Sequence, residues 1–169
     1  MPRFCNAQHF RYDVKRMSAN LLHVGRAFTP TVELADAGIL LRDGLIESIG
    51  PREGLTLPAG SVEIAAPDKI AVPGFVDVHI HGAGGRDVME GGAEALTTVA
   101  SMVARHGTTS IVATTVTASP EQTLRSIEGI ASYIGTQHKA SNARAEILGL
   151  HFEGPFISPV RRGVHPPER

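Results

Sequence analysis

Tryptophan is absent from the 169 residues, aromatic side chains make up only 5%, and cysteine occurs once, at Cys5. A single thiol excludes an intrachain disulfide framework and fits a reducing compartment, so the cytoplasm is the expected location. Cys5 also sits in a polar leader, a poor setting for a nucleophile. No apolar run approaches the roughly 18 residues that a membrane-spanning helix requires, and the N-terminus lacks the apolar core of a secretory signal. An excess of positive charge is missing too. With a formal net charge of −1 there is no basic footprint for nucleic acid or an anionic membrane, which leaves a small molecule as the expected partner.

What is present is enough apolar content, 42%, to bury a core, and 18 glycines, which suit an α/β protein with many tight turns. Residues 1–17 are polar and basic without periodicity and read as a disordered leader. Residues 18–72 read as short strands with turn punctuation. Asp43-Gly44, between Ile39-Leu40-Leu41 and Leu45-Ile46, is the dipeptide expected where a two-residue hairpin needs positive φ. Further strands are expected at Leu21–Arg26, Val62–Ala65 and Ile70–Val72.

From residue 73 to 169 the pattern changes to alternating strands and helices. A strand within Pro73–Gly82 is followed by the glycine-rich loop Ala83-Gly84-Gly85-Arg86-Asp87. That loop does not have P-loop spacing, so chain reversal or close backbone approach is expected in place of a phosphate cradle. Leu96, Val99, Ala100 and Val103 then recur at helical spacing, and Gly107 ends that helix. Thr108–Thr117 is rich in β-branched residues and reads as a second strand. Ser119-Pro120-Glu121-Gln122 is a helix start, with serine as N-cap and proline at the first helical position. Leu124, Ile127, Ala131 and Ile134 are expected to form its core-facing stripe, and Ile147–Phe152 is the third strand. The order β-α-β-α-β implies a parallel sheet with right-handed crossovers.

Strand side chains alternate with period two, so His79 and His81 share one face of the first of these strands. Glu153, at the end of the third, can close on the same volume if the strands share a parallel sheet. Two imidazoles and a carboxylate are ligands for zinc or a similar divalent ion. His151 shares a face with Glu153 and is a ligand by geometry alone, although packing is the plainer reading. Asp77 lies deeper in its strand and reads as structural. Arg161-Arg162 reads as a solvated turn that could attract an anion.

The decamer Pro73-Gly74-Phe75-Val76-Asp77-Val78-His79-Ile80-His81-Gly82 resembles the first barrel strand of the amidohydrolase superfamily. His151-Phe152-Glu153-Gly154-Pro155-Phe156, followed by Arg161-Arg162-Gly163-Val164-His165-Pro166, resembles one branch of it, the N-acetylglucosamine-6-phosphate deacetylases. The resemblance runs from about Leu21 to the last residue. It implies an α/β chain comprising the first three βα units of a metal-dependent (β/α)8 TIM barrel, an incomplete barrel at residues 73–169 preceded by a small β-sandwich segment at 18–72. Eight such units take about 250 residues, and their active sites open at the C-terminal ends of the strands.

The same resemblance implies the roles of residues. Glu153 matches the carboxylate metal ligand, while His79 and His81 match the paired ligands of members that carry a second metal. One or two divalent ions, zinc or iron, are therefore expected. His165 matches the catalytic histidine set against the substrate amide, with Val164 beside it binding substrate through its backbone. Thr114 and Thr115 lie near the mouth of the second strand, where the family often has a proline followed by threonine, and Ala113 departs from that proline. The implied reaction is hydrolysis of the acetamido group of N-acetylglucosamine 6-phosphate to glucosamine 6-phosphate and acetate, by a parent protein that is a homodimer. Two more histidine ligands and the acid/base aspartate would come from later strands. The chain is thus expected to be truncated and inactive alone. Two other readings stand beside this one: an amidohydrolase acting on cyclic amides, which usually bridges two metals with a modified lysine, and a non-catalytic partial domain.

Overall fold

A computed structural model describes residues 19–137 and 143–168; the expected leader, residues 1–17, lies outside them. The chain divides into two compact units, with the boundary between Pro73 and Gly74.

In the first unit β1 (Asn20–Phe28), β2 (Glu33–Arg42), β3 (Leu45–Pro51) and β4 (Val62–Ala71) form one sheet in the order β3-β2-β1-β4. The pairs β1–β2 and β2–β3 are antiparallel, and β1–β4 is parallel. Asp43 and Gly44 adopt φ of 52° and 81°, the positive values that a tight turn matching the strand twist requires. The two short strands expected between residues 62 and 72 are one strand with an irregularity. Val24 pairs with Ala66 but Arg26 with Ile70, so the chain around Pro67 is displaced from the ladder. Gly25 lies opposite, where a Cβ would come within 2.3 Å of the Pro67 carbonyl oxygen. Any side chain there would push β4 away.

In the second unit β5 (Phe75–Ile80) leads through a two-stranded hairpin, β6 (Gly82–Ala83) and β7 (Arg86–Asp87), to α1 (Ala93–Ala104). The sequence continues with β8 (Thr108–Thr115), α2 (Pro120–Thr136) and β9 (Glu146–Phe152). The three long strands form a parallel sheet in the order β5-β8-β9. The glycine-rich loop is a chain reversal between β6 and β7, with Gly84 and Gly85 at φ 63° and 78°. Asp87 then caps a single helical turn reciprocally with Glu90, and Arg86 pairs with Glu90 and Glu94.

Leu96 and Val99 of α1, Ile111 and Ala113 of β8, Ile147 of β9, and Ile130 and Tyr133 of α2 make the core, together with Val88. Ser119 starts α2 by accepting the Gln122 N–H at 3.2 Å. The phase of α2 departs from the expected stripe. Leu124 and Ala131 are exposed, while Ser126, Ile130 and Tyr133 are buried. The reason is a close contact that an apolar stripe does not encode. Ser126 Oγ donates to the Met89 carbonyl at 2.6 Å, and a Cβ on Gly129 would lie 2.1 Å from the Gly91 carbonyl oxygen. The small residues therefore turn inward. Among the described residues no helix is long and apolar enough to cross a membrane.

Candidate metal centre

The site begins with two bulges that flank the central strand. Asp77 pairs with Ile111 and Ile80 with Ala113, so β5 holds one more residue than β8 over that interval. On the other side Ile111 pairs with Ile147 and Val112 with Gly149, so β9 holds one more as well. Such an insertion bends a strand and re-aims its side chains. In β5 the amides around the bulge find side-chain acceptors. The His79 N–H donates to Asp77 Oδ1 and the Ile80 N–H to Thr114 Oγ1, each at 3.1 Å. Asp77 and Thr114 thus hold the backbone from which both histidines project.

Beyond the bulges the side chains converge. His79 Nε2 and His81 Nε2 are 3.2 Å apart, and Glu153 Oε2 lies 3.4 Å from the first and 3.0 Å from the second. These three residues are the potential ion-holding cluster among the described residues. Two ligand atoms bound at about 2.0–2.2 Å to one ion stand roughly 2.8–3.6 Å apart at octahedral to tetrahedral angles. All three separations fall in that range. The tautomer of His81 also fits. Its Nδ1 lies 3.0 Å from the Thr114 carbonyl oxygen, which can only accept. The proton is therefore assigned to Nδ1, and Nε2 presents its lone pair to the cluster. The His81 lone pair and a carboxylate oxygen facing one point, with His79 Nε2 beside them, suit a cation.

His165 joins from the loop after β9. It is buried, with Nδ1 2.7 Å from Thr117 Oγ1 and Nε2 3.4 Å from Glu153 Oε1. The two oxygens of Glu153 thus face different partners. Burial pushes the Glu153 carboxyl up, but the hydrogen bond from His165 and the electrostatic pull of the His81, His165 and His79 rings outweigh it. The net value lies below the usual carboxylate range. Arg162 Nη1 donates to the His165 carbonyl at 2.6 Å, so this guanidinium is engaged with the loop's own backbone. The Val164 side chain is exposed. His151 packs its ring 5.0 Å from that of His79, centroid to centroid, outside the three-residue cluster.

Sequence reasoning singled out His79, His81, Glu153 and His165, which lie together, and missed Thr117. It noted Thr114 only by its place near the mouth. A β-branched hydroxyl two residues beyond β8 was the available signal, but nothing in the spacing ties residue 117 to residue 165.

A mouth of histidines and a carboxylate at the C-terminal ends of parallel strands is a setting for metal-assisted hydrolysis in an α/β protein. The sequence pattern of the amidohydrolase family, a metal-dependent family, matches residues 70–168, and the chain belongs to that family. Among individual proteins it is similar to the N-acetylglucosamine-6-phosphate deacetylase of Bacillus subtilis, at 36% identity over 132 residues, 76% of this chain and 32% of the relative. It is similar also to the N-acetylgalactosamine-6-phosphate deacetylase of Escherichia coli O157:H7, at 32% identity over 88% of this chain and 37% of the relative. Of solved structures, a mutant N-acetyl-D-glucosamine-6-phosphate deacetylase from Mycobacterium smegmatis in complex with N-acetyl-D-glucosamine-6-phosphate superimposes with a TM-score of 0.70 at 31% identity. That match covers 89% of this chain and 36% of the other. The chain spans about a third of the length of the relatives it matches.

Proposed function

We propose that these residues form the first three βα units of a (β/α)8 barrel, at 73–169, preceded in sequence by a β-sandwich segment at 18–72. We propose further that the parent protein hydrolyses the acetamido group of an N-acetylated amino-sugar phosphate, N-acetylglucosamine 6-phosphate first. The observation that carries this reading is the convergence of His79, His81 and Glu153 within ligand-to-ligand distance. One or two ions, zinc or iron, would be held there. A divalent ion so held supplies Lewis acidity, polarising an amide carbonyl and lowering the pKa of a water molecule.

The chain's own residues do the rest of what these three βα units can do. Glu153 offers Oε2 to the ion and keeps Oε1 toward His165. His165, whose Nε2 faces Glu153 Oε1, would donate to the amide oxygen as negative charge develops there. Val164 would contribute through its backbone. The parent is proposed to be cytoplasmic and homodimeric, and the chain alone to be inactive.

The test is a hybrid in which residues 18–168 replace the corresponding third of the Bacillus subtilis relative. Acetate release from N-acetylglucosamine 6-phosphate should appear in the hybrid, disappear with Glu153→Gln, and be absent from the chain alone. A hybrid that folds and binds metal yet releases no acetate contradicts the reading. Because one relative is named for the galactosamine sugar, both epimers belong in the assay, and cyclic amides with them.

A further inference from the structure

We propose that Thr117 is a positioning residue for His165: its hydroxyl donates to Nδ1 and so holds the ring in the tautomer that carries its proton on Nε2, facing Glu153. This rests on the proposed role of His165 at the substrate amide. The geometry is specific. Thr117 and His165 are both buried, 48 positions apart in sequence, and meet at 2.7 Å. A neutral imidazole has one N–H and one lone pair, and each must find a complementary partner when buried. On one side, Nε2 faces a carboxylate oxygen at 3.4 Å, which can only accept while ionised. The Nε2–H form satisfies it. The other nitrogen then needs a donor, and the threonine hydroxyl is the group in contact with it. Glu153 Oε1 is not the oxygen that meets His79 and His81, so the opposite tautomer would set a lone pair against it with no place for an ion between them.

Two further features act on the same contact. A Cβ at Gly154 would lie 2.0 Å from Thr117 Oγ1, so the glycine after Glu153 leaves the space in which the hydroxyl sits. Its φ of 84° is also one that side chains rarely adopt. At the far end of His165, the loop is tied by the His165 N–H to the Arg162 carbonyl at 3.1 Å and by Arg162 Nη1 to the His165 carbonyl at 2.6 Å. Arg162 fixes where the histidine backbone is, and Thr117 fixes which edge of the ring looks inward. The functional consequence is an N–H donor, not a lone pair, presented to an amide oxygen.

The test reads the ring nitrogens directly. Histidine-labelled full chain is studied by 15N magic-angle-spinning NMR near neutral pH, which serves soluble and associated protein alike, and the His165 signals are identified by their loss in His165→Asn. The wild-type chain should show His165 with a protonated Nε2 and an unprotonated Nδ1. Thr117→Ser should keep that pattern, because it keeps the donor. Thr117→Val should convert it to a mixture of tautomers or to the Nδ1–H form, while zinc affinity stays within a few-fold. A merely structural threonine would not move the tautomer in this selective way. Wild-type protein with the proton on Nδ1, or a Thr117→Val spectrum identical to wild type, overturns the proposal. Should Thr117→Val fail to fold, the wild-type and Thr117→Ser spectra still decide, since an Nδ1–H ring in either overturns it. Failure of the deacetylase reading is seen separately, as a folded hybrid that releases no acetate while the ring signals still follow residue 117.

Discussion

His81 shows how much a single hydrogen bond decides. Its Nδ1–H is committed to the Thr114 carbonyl, so the ring cannot turn without leaving a buried acceptor unpaired, and Nε2 stays on the cluster. Replacing His79, His81 or Glu153 (Ala, Ala and Gln respectively) should each weaken zinc binding by more than the roughly 10–100-fold that loss of an outer partner costs; equilibrium dialysis measures it. Affinity should also fall as pH falls, because protons compete for the same ligand atoms. For Glu153 itself the folded value lies below the unfolded one, so its contribution to stability is present above the ordinary carboxylate range and is lost as pH falls through the folded value. The three residues of the cluster were legible as neighbours because strand periodicity and motif order both point at them. The bulges that deliver them were not, since the inserted residues, Leu148 among them, carry no signature. Nor was Thr117 linked to His165, because that contact forms only once a loop after β9 folds back onto the end of β8.

Among the elements, the parallel sheet of β5, β8 and β9 was legible from the alternation of strands and helices, and the cap of α2 from local residue chemistry. The rotation of α2 was not. Hydrophobicity ranks Leu124 above Ser126, but the helix turns so that a serine hydroxyl and a glycine meet carbonyls of the segment before α1, and only the packed partner reveals that preference. Ile130→Ala should therefore cost about 2–5 kcal/mol in denaturant unfolding, whereas Leu124→Ala should stay within about 0.5 kcal/mol. Equal costs would restore the simple stripe. In the first unit, Arg52 donates from Nε and Nη2 to the two oxygens of Glu63, each at 2.8 Å. That hydrogen bonding, opposed by burial, holds the Glu63 carboxyl below its ordinary range. Its stabilisation is present above the unfolded carboxylate range and fades as pH drops through the folded value. Glu63→Gln should flatten the acid limb of the thermal midpoint plotted against pH.

At the scale of the whole molecule, the sheet of the second unit has β5 and β9 as its outer strands. Phe75, Val76 and Val78 on one and Leu148 and Phe152 on the other are more than half exposed. At Ile147 the Gln137 amide takes the place of a neighbouring strand, accepting from the backbone N–H at 2.9 Å and donating to the carbonyl at 3.0 Å. Elsewhere such edges and apolar faces favour association. Sedimentation velocity of the isolated chain should show concentration-dependent self-association, and a strictly monomeric chain would contradict that. The central claim, however, is that His79, His81 and Glu153 grip one ion together. X-ray absorption on the zinc-loaded chain tests it most directly. Two imidazole nitrogens and a carboxylate oxygen at about 2.0–2.2 Å, with the imidazole signal lost in the His79→Ala/His81→Ala double variant, is the predicted result. A zinc environment unchanged by that double replacement would contradict it.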